Sequence, residues 1–500
     1  MQGVQKSYVQ ELAKHTLTQE STPLFDALVN YAKQDVTPFD VPGHKMGAKL
    51  TPLKKVLGEM VLRMDVNSMK ELDLLSHPQS VIKDAQRLAA EAFGADLAYF
   101  LINGTTVGIQ AMIMATCAPG DKLIVPRNCH KSVMNALILS GANPVFVQPE
   151  IDFIFGISHG VSLEEIKRSL IEHPEARALL VTYPTYFGSM NNLKEICRLA
   201  HQYDMAVIVD SAHGAHLRYL EQEIIDPIAA GADAATLSIH KTGGSLTQSS
   251  LLLLNEGRIS PSKIQKMLNM LQTTSANYLL MGSLDVARSE LALHGHRLYH
   301  NLKPLVTEAI RLIENNSNYE VLKAEYVANN FQQAYDWTKL VIRVNGIGLT
   351  GFEVYTLLKE EYGIQMELAE GYVVMAVLST ADSEASINKL VCALKEIELL
   401  YGKEEEHFDG DVMSYKMNRL ICTPREAFYA DTEVVAIDQA AGRVSADSLM
   451  IYPPGIPLVI PGEEISAATI QQYHYYCETM GNVLTEEKEV NQIKVLKEMK

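Results

Sequence analysis

Between residues 95 and 254 the sequence alternates short apolar or β-branched runs with helical stretches, and this alternation restricts the fold more than any other feature. The strand-like runs fall at 97–102, 122–125, 144–147, 178–182, 206–209, 234–238 and 249–253. Segments 107–117, 131–140, 162–171 and 193–203 lie between them and carry amphipathic helical patterns. The alternation predicts an α/β unit with a mainly parallel sheet. Such sheets bind ligands outside the carboxyl ends of their strands, so functional residues belong in the loops that follow strands.

The rest of the chain is organised around this unit. Residues 284–315 have helical periodicity and few breakers, which reads as a long helix leaving the first domain. A second, smaller α/β pattern follows, with segments 340–344, 351–362 and 373–377. The charged run 403–406 and Gly410 mark a linker. The expected domains are 1–300 (an N-terminal segment and the large domain), 301–405 (a small α/β domain) and 406–500 (a C-terminal domain).

Charge and composition exclude several classes. With 43 Lys and Arg against 60 Asp and Glu, the net charge is −17. Phosphate backbones need a basic face, so nucleic acid is not the expected partner. The acidic balance is compatible with cationic small substrates. No apolar run approaches the ~20 residues that span a bilayer, and the N-terminus lacks the basic start and apolar stretch of a secretory signal. The six cysteines are scattered, without a CxxC pair. Neither a disulfide framework nor a metal site is expected, and the cytoplasm is the expected compartment.

The chemistry concentrates at strand ends. In Ser238-Ile239-His240-Lys241-Thr242-Gly243-Gly244 a lysine follows a strand directly. Asp210 closes the apolar run 206–209, one strand–helix unit earlier. That pair meets the needs of pyridoxal 5′-phosphate: the lysine forms the Schiff base, and the carboxylate keeps the pyridinium nitrogen protonated. Asn103-Gly104-Thr105-Thr106, between a strand and a helix, offers backbone and hydroxyl donors for the phosphate. Ser238 is a second phosphate donor. His130, after another strand, can stack on a flat aromatic ring. Taken singly, Lys-Gly-Gly reads as a turn, Gly-Thr-Thr as a helix cap, and His130 as a capping or surface histidine. Their order along the chain is far more specific than any one of them.

With these residues in place, the sequence resembles the pyridoxal-phosphate-dependent ornithine/lysine/arginine decarboxylase family, whose fold is that of aspartate aminotransferase (fold type I). The resemblance runs nearly end to end. It includes Val41-Pro42-Gly43-His44-Lys45-Met46-Gly47, Glu71-Leu72-Asp73-Leu74-Leu75, Pro184-Thr185-Tyr186-Phe187-Gly188, Asp210-Ser211-Ala212-His213-Gly214 and the diagnostic Ser238-Ile239-His240-Lys241. Tyr452-Pro453-Pro454-Gly455 and Pro461-Gly462-Glu463 resemble the family's C-terminal domain. The resemblance implies that Lys241 is the Schiff-base lysine, Asp210 the pyridinium partner and His130 the stacking residue. Thr105, Thr106 and Ser238 then bind phosphate, and His240 is a candidate proton donor beside the reacting carbon. A Thr-Ser segment of the partner subunit reaches the phosphate in the family. Thr273-Thr274-Ser275 resembles it, which implies a homodimer with shared active sites and leaves higher oligomers open; alone, the segment reads as a polar loop.

Two departures from the longer family members stand out. The Pro-Gly-His motif begins at Val41, so the receiver-like N-terminal wing of those members is not expected, and a short biosynthetic type is implied. His213 stands where some long members carry tryptophan, and either lines the substrate pocket or orients the cofactor. The implied activity is decarboxylation of a basic amino acid. Arginine, giving agmatine, is placed first, ahead of lysine (cadaverine) and ornithine (putrescine). A distal cation needs a carboxylate partner, for which Glu71, Asp73 and Glu463 are candidates. The competing readings are an aminotransferase or lyase of the same fold, a catalytically silent pyridoxal-phosphate-binding protein, and an unrelated α/β protein.

Overall fold

The computed structural model describes residues 17–49, 51–221, 224–403, 417–451, 456–479, 483–484 and 491–497. The motif Tyr452-Pro453-Pro454-Gly455, Gly410 and most of the charged run before it lie outside the described residues.

Seven strands form the central sheet: β1 (Leu97–Leu101), β2 (Lys122–Pro126), β3 (Asn143–Val147), β4 (Ala178–Thr182), β5 (Ala206–Asp210), β6 (Ala234–Leu237) and β7 (Ser250–Leu254). Their order is β1-β7-β6-β5-β4-β2-β3. The pairs from β6 to β3 are parallel, and β7 runs antiparallel to both of its neighbours. The reason lies in the connection between β6 and β7. It carries a single helical turn, which is too short to recross the sheet, whereas a parallel return needs a dozen or more residues with a full helix. Helices cover both faces, so the inner strands are buried on both sides and read as continuous apolar runs rather than alternating ones.

Helix α1 (Gly104–Thr116) corrects one expectation. It is not amphipathic: Val107, Ile109, Met112, Ile113 and Ala115 all bury, because neighbouring helices and the sheet enclose it. A helix that is apolar all round is a buried helix. Helix α2 (Lys131–Ser140) lies beside it, and α3 (Ile239–Thr242) is the single turn between β6 and β7.

The long helix expected after residue 284 is α4 (Tyr278–Glu314), started by Asn277, whose side chain accepts from the Leu280 amide at 3.1 Å. The division at 300/301 falls inside this helix, which serves both the large and the small domain. The smaller sheet beyond it consists of β8 (Glu320–Val321), β9 (Lys339–Arg343), β10 (Leu368–Ala369) and β11 (Val373–Val377), in the order β8-β9-β11-β10. Every pairing in it is antiparallel. Helices α5 (Gly351–Glu360) and α6 (Glu384–Tyr401) pack beside it, each begun by a reciprocal capping box.

The C-terminal region has its own small core, which includes Ile437, Leu449, Val459, Ile465, Tyr473, Ile493 and Val495. It also docks on the large domain. Arg127, just after β2, donates from Nε to Glu463 Oε1 at 3.0 Å and from NH2 to Oε2 at 2.8 Å. Its guanidinium also reaches the Pro457 carbonyl at 3.0 Å. Among the described residues, no helix is long and apolar enough to cross a membrane.

Candidate active site

The carboxyl ends of β1, β2, β4, β5 and β6 open into one cavity of about 540 Å3. That volume falls within the roughly 300–1,000 Å3 typical of small-molecule sites. Thr105, Thr106, His130, Asp210, His213, Ser238, His240 and Lys241 all line it. The structure therefore brings together every strand-end residue expected from the sequence.

The phosphate end forms where β1 turns into α1. Gly104 has φ +69°, a conformation that favours glycine, and its amide donates to the Gln248 carbonyl at 2.9 Å. Gln248 itself sits at φ +82° in the cavity wall, a strained position for a residue with a side chain. Thr105 Oγ1 and Ser238 Oγ lie 3.2 Å apart, so two hydroxyls from different strand ends converge beside a helix N-terminus.

Asp210 is the last residue of β5 and only 4% exposed; it faces Thr182 and Thr236 across the sheet. Its Oδ1 accepts the Ala212 amide at 3.2 Å. His130 meets the capping reading and is also a cavity residue. Its Nδ1 accepts from the Ser132 amide at 3.2 Å, capping α2, while the residue lines the cavity. Burial pushes its pKa down, Lys241 and Lys131 add to this, and Asp210 opposes them.

Lys241 Nζ is 2.9 Å from His213 Nε2. Burial is the largest cause lowering the lysine's pKa; Asp210 and Glu367 act against it, and Lys339 acts with it. His213 is pushed well below the usual histidine range, first by burial and then by Lys241, so its ring is neutral. The other ring nitrogen, Nδ1, is buried without a partner. His240 Nδ1 donates to the Ser249 carbonyl at 2.9 Å, leaving Nε2 as an acceptor, and burial lowers its pKa as well.

These groups fit pyridoxal 5′-phosphate: hydroxyl and backbone donors at one end, a buried carboxylate at a strand end, a ring-sized imidazole and an amine of lowered basicity. The lining Thr182 hydroxyl is likewise buried without a partner, as is His213 Nδ1, so the wall holds polar atoms that the protein itself leaves unsatisfied.

The acidic residues singled out in the sequence lie elsewhere. Glu463 is engaged by Arg127. The Asp73 carboxylate accepts the amides of Leu74, Gln79 and Ser80, and these bonds hold its pKa down against burial. Glu71 is exposed and does not line the cavity. The carboxylate that does line it, besides Asp210, is Glu367, just before β10, which accepts from the Tyr186 hydroxyl at 2.7 Å. Nothing in its local sequence separates it from the other glutamates of the small domain. Thr182 could have been found as a polar residue closing an apolar strand.

Thr273 and Thr274 are exposed and do not line this chain's cavity. They sit in the loop before α4, where Tyr278 donates from its hydroxyl to the Asp73 carbonyl at 2.6 Å. The 71–75 motif and the threonine loop therefore lie side by side.

The Orn/Lys/Arg decarboxylase major-domain model matches residues 22–386, and the C-terminal domain model of the same family matches residues 410–484. An arginine decarboxylase of Bacillus subtilis is 42% identical over 97% of this chain and 99% of its own. An arginine decarboxylase of Halalkalibacterium halodurans is 44% identical over 90% of this chain and 92% of its own. A lysine decarboxylase structure from Francisella novicida superposes with a TM-score of 0.80 at 20% identity, covering 95% of this chain and 81% of that one, which shows a shared fold. With the family model spanning most of the sequence and the strand-end residues gathered in one cavity, the chain belongs to the Orn/Lys/Arg decarboxylase family.

Proposed function

We propose that the protein is a pyridoxal-phosphate-dependent arginine decarboxylase, releasing CO2 and agmatine. The observation that carries this reading is the cavity itself, with Lys241 and Asp210 on its large-domain wall and Glu367 on its small-domain wall. The two relatives named arginine decarboxylase support arginine as substrate over lysine and ornithine.

Bound pyridoxal phosphate supplies an electron sink for the pair left on Cα when the carboxylate departs. Lys241 provides the amine that holds the cofactor, and its lowered pKa keeps a larger neutral, nucleophilic fraction. Asp210 would hold the positive charge of the ring nitrogen, in a site where fixed charges act strongly. Thr105, Thr106 and Ser238 would bind the phosphate, and His130 would pack against the ring. Glu367 receives the substrate's distal cation, with its carboxylate held by Tyr186. Return of a proton to Cα falls to Lys241. His240 is the weaker donor because the one proton of its neutral ring is committed to the Ser249 carbonyl.

The test is a panel of arginine, lysine and ornithine with CO2, amine and keto acid all measured. Arginine is expected to give CO2 and agmatine in equal amounts without keto acid. Keto acid as the main product, or no turnover of any of the three, overturns the reading.

We also infer that two copies share each site, with Thr273 and Thr274 of one reaching the phosphate end of the other's cavity. Their exposure, and their absence from the residues that line this chain's own cavity, support this. Mixing Lys241→Ala with Thr274→Ala subunits is expected to restore part of the activity that each lacks. No recovery in demonstrated mixed dimers counts against it.

A further inference from the structure

The catalytic lysine sits on a helix too short to hold itself. Helix α3 is one turn, closed by Lys241 N to Ser238 O at 3.0 Å and Gly243 N to Ile239 O at 2.7 Å. An isolated turn is unstable, so outside contacts must fix its orientation. Two of them converge on Thr242, the residue after the lysine. The Tyr299 hydroxyl donates to its carbonyl at 2.9 Å, and His216 Nδ1 lies 3.0 Å from its hydroxyl.

The far side of His216 is anchored on the small domain. Nε2 is 3.0 Å from both Asp336 oxygens, and both side chains are fully buried. Asp336 also accepts from the Thr338 amide at 3.0 Å and from its hydroxyl at 2.7 Å. Although burial opposes it, His216, Lys339 and these bonds hold the carboxyl down to about 2, so it is ionised. An ionised carboxylate only accepts, so Nε2 donates toward Asp336, while Nδ1 shares a hydrogen bond with the Thr242 hydroxyl. His216 therefore bridges the Thr242 hydroxyl to Asp336. Asp336 is tied in turn to the cavity wall, because its amide donates to the Gly188 carbonyl at 2.8 Å, directly after lining residues Tyr186 and Phe187.

We propose that His216 is a positioning residue for Lys241, acting through the Thr242 hydroxyl and anchored by Asp336. None of the three lines the cavity, so none is a catalytic residue. Stability alone does not account for them, since burying ionised groups costs about as much as their pairing returns, and apolar residues of equal volume pack as well. What the relay adds is direction: it ties the setting of the lysine to the strap that carries Tyr186. The proposal rests on the assignment of Lys241 made above.

The deciding variant is Thr242→Val, which keeps the shape and removes the hydroxyl; Thr242→Ser restores it. In the full-length holoenzyme, Thr242→Val is expected to lower kcat by roughly 10- to 100-fold, the scale of a small misplacement. KM should change by less than about 2-fold, and the absorbance of the bound cofactor should shift in its dependence on pH. Thr242→Ser should recover most of kcat and the original absorbance profile. Adding His216→Gln to Thr242→Val should cost little more than Thr242→Val alone, because one relay is already broken. A Thr242→Val enzyme with unaltered kcat and absorbance overturns the proposal. So does a loss that Thr242→Ser fails to recover, or one matched by an equal loss of thermal stability. Borohydride fixation with peptide mapping of the unaltered enzyme separates the two readings. Fixation at another lysine overturns the site assignment, whereas fixation at Lys241 with a silent Thr242→Val overturns only the positioning role.

Discussion

The two walls of the cavity are built differently. The large-domain wall is a row of strand ends: Thr105, His130, Asp210 and Ser238 each follow an apolar strand of a buried sheet, so the backbone ladder places them. The small-domain wall comes from Glu367, which precedes a two-residue strand, and is accompanied by buried ionisable groups with few partners. Lys339 is fully buried, with Nζ 3.8 Å from Asp336 and no hydrogen bond. Glu370, three residues beyond Glu367, is buried with one carboxylate oxygen unpaired. The first wall is held by regular structure, and the second by electrostatics in a low-dielectric interior. Under the proposed function, cofactor chemistry falls to the first wall and substrate discrimination to the second.

Replacing the key carboxylate of each wall tests the division. Asp210→Asn should reduce kcat by roughly 100- to 1,000-fold, as expected for the loss of a preorganised charge at the reacting system. Glu367→Gln should raise KM for the basic substrate by roughly 10- to 100-fold, the worth of one charge-assisted hydrogen bond, with a smaller change in kcat. Steady-state kinetics on both variants decides it. If Glu367→Gln lowers kcat while leaving KM unchanged, the walls do not divide the work in this way.

A smaller effect separates the walls by pH. Burial raises the Glu370 pKa from 4.5 to about 8, so the carboxyl is protonated when folded and ionised when unfolded at neutral pH. A raised folded pKa contributes stability below the unfolded value that is lost as pH rises toward about 8. His130, His213 and His240 carry the opposite sign. Their lowered pKa values contribute stability above the unfolded value of 6.5, which is lost as pH falls below it. Glu370→Gln should therefore raise the melting temperature at pH 8 by about 2–4 °C, the shift that about 1 kcal/mol produces in a unit of some 200 residues. At pH 4 it should have almost no effect. Equal shifts at both pH values would show that Glu370 is not the titrating group.

The large-domain wall was legible because a parallel sheet converts sequence position into spatial position. An apolar run closed by Asp210, and another followed by Ser238 and Lys241, must end on the same edge. Glu367 was not legible, because its place depends on the small domain folding back over the strand ends. The same holds for Glu463. Its motif was visible, but the partner that neutralises it, Arg127, lies in a distant part of the chain. Asp73, inside a recognisable motif, turned out to accept amides at the start of the helix that begins at Val81.

The sequence by itself determined the seven strands, the order in which the strand-end residues Thr105, His130, Asp210 and Lys241 enter one cavity, and the family, because periodicity and strand-end chemistry are local properties that survive without coordinates. Only the tertiary structure decided that β7 runs antiparallel, that Glu367 faces Lys241, and that His216 and Asp336 lie behind Thr242. Those facts depend on how separately folded layers close on one another, and closure is set by packing between residues far apart in the chain.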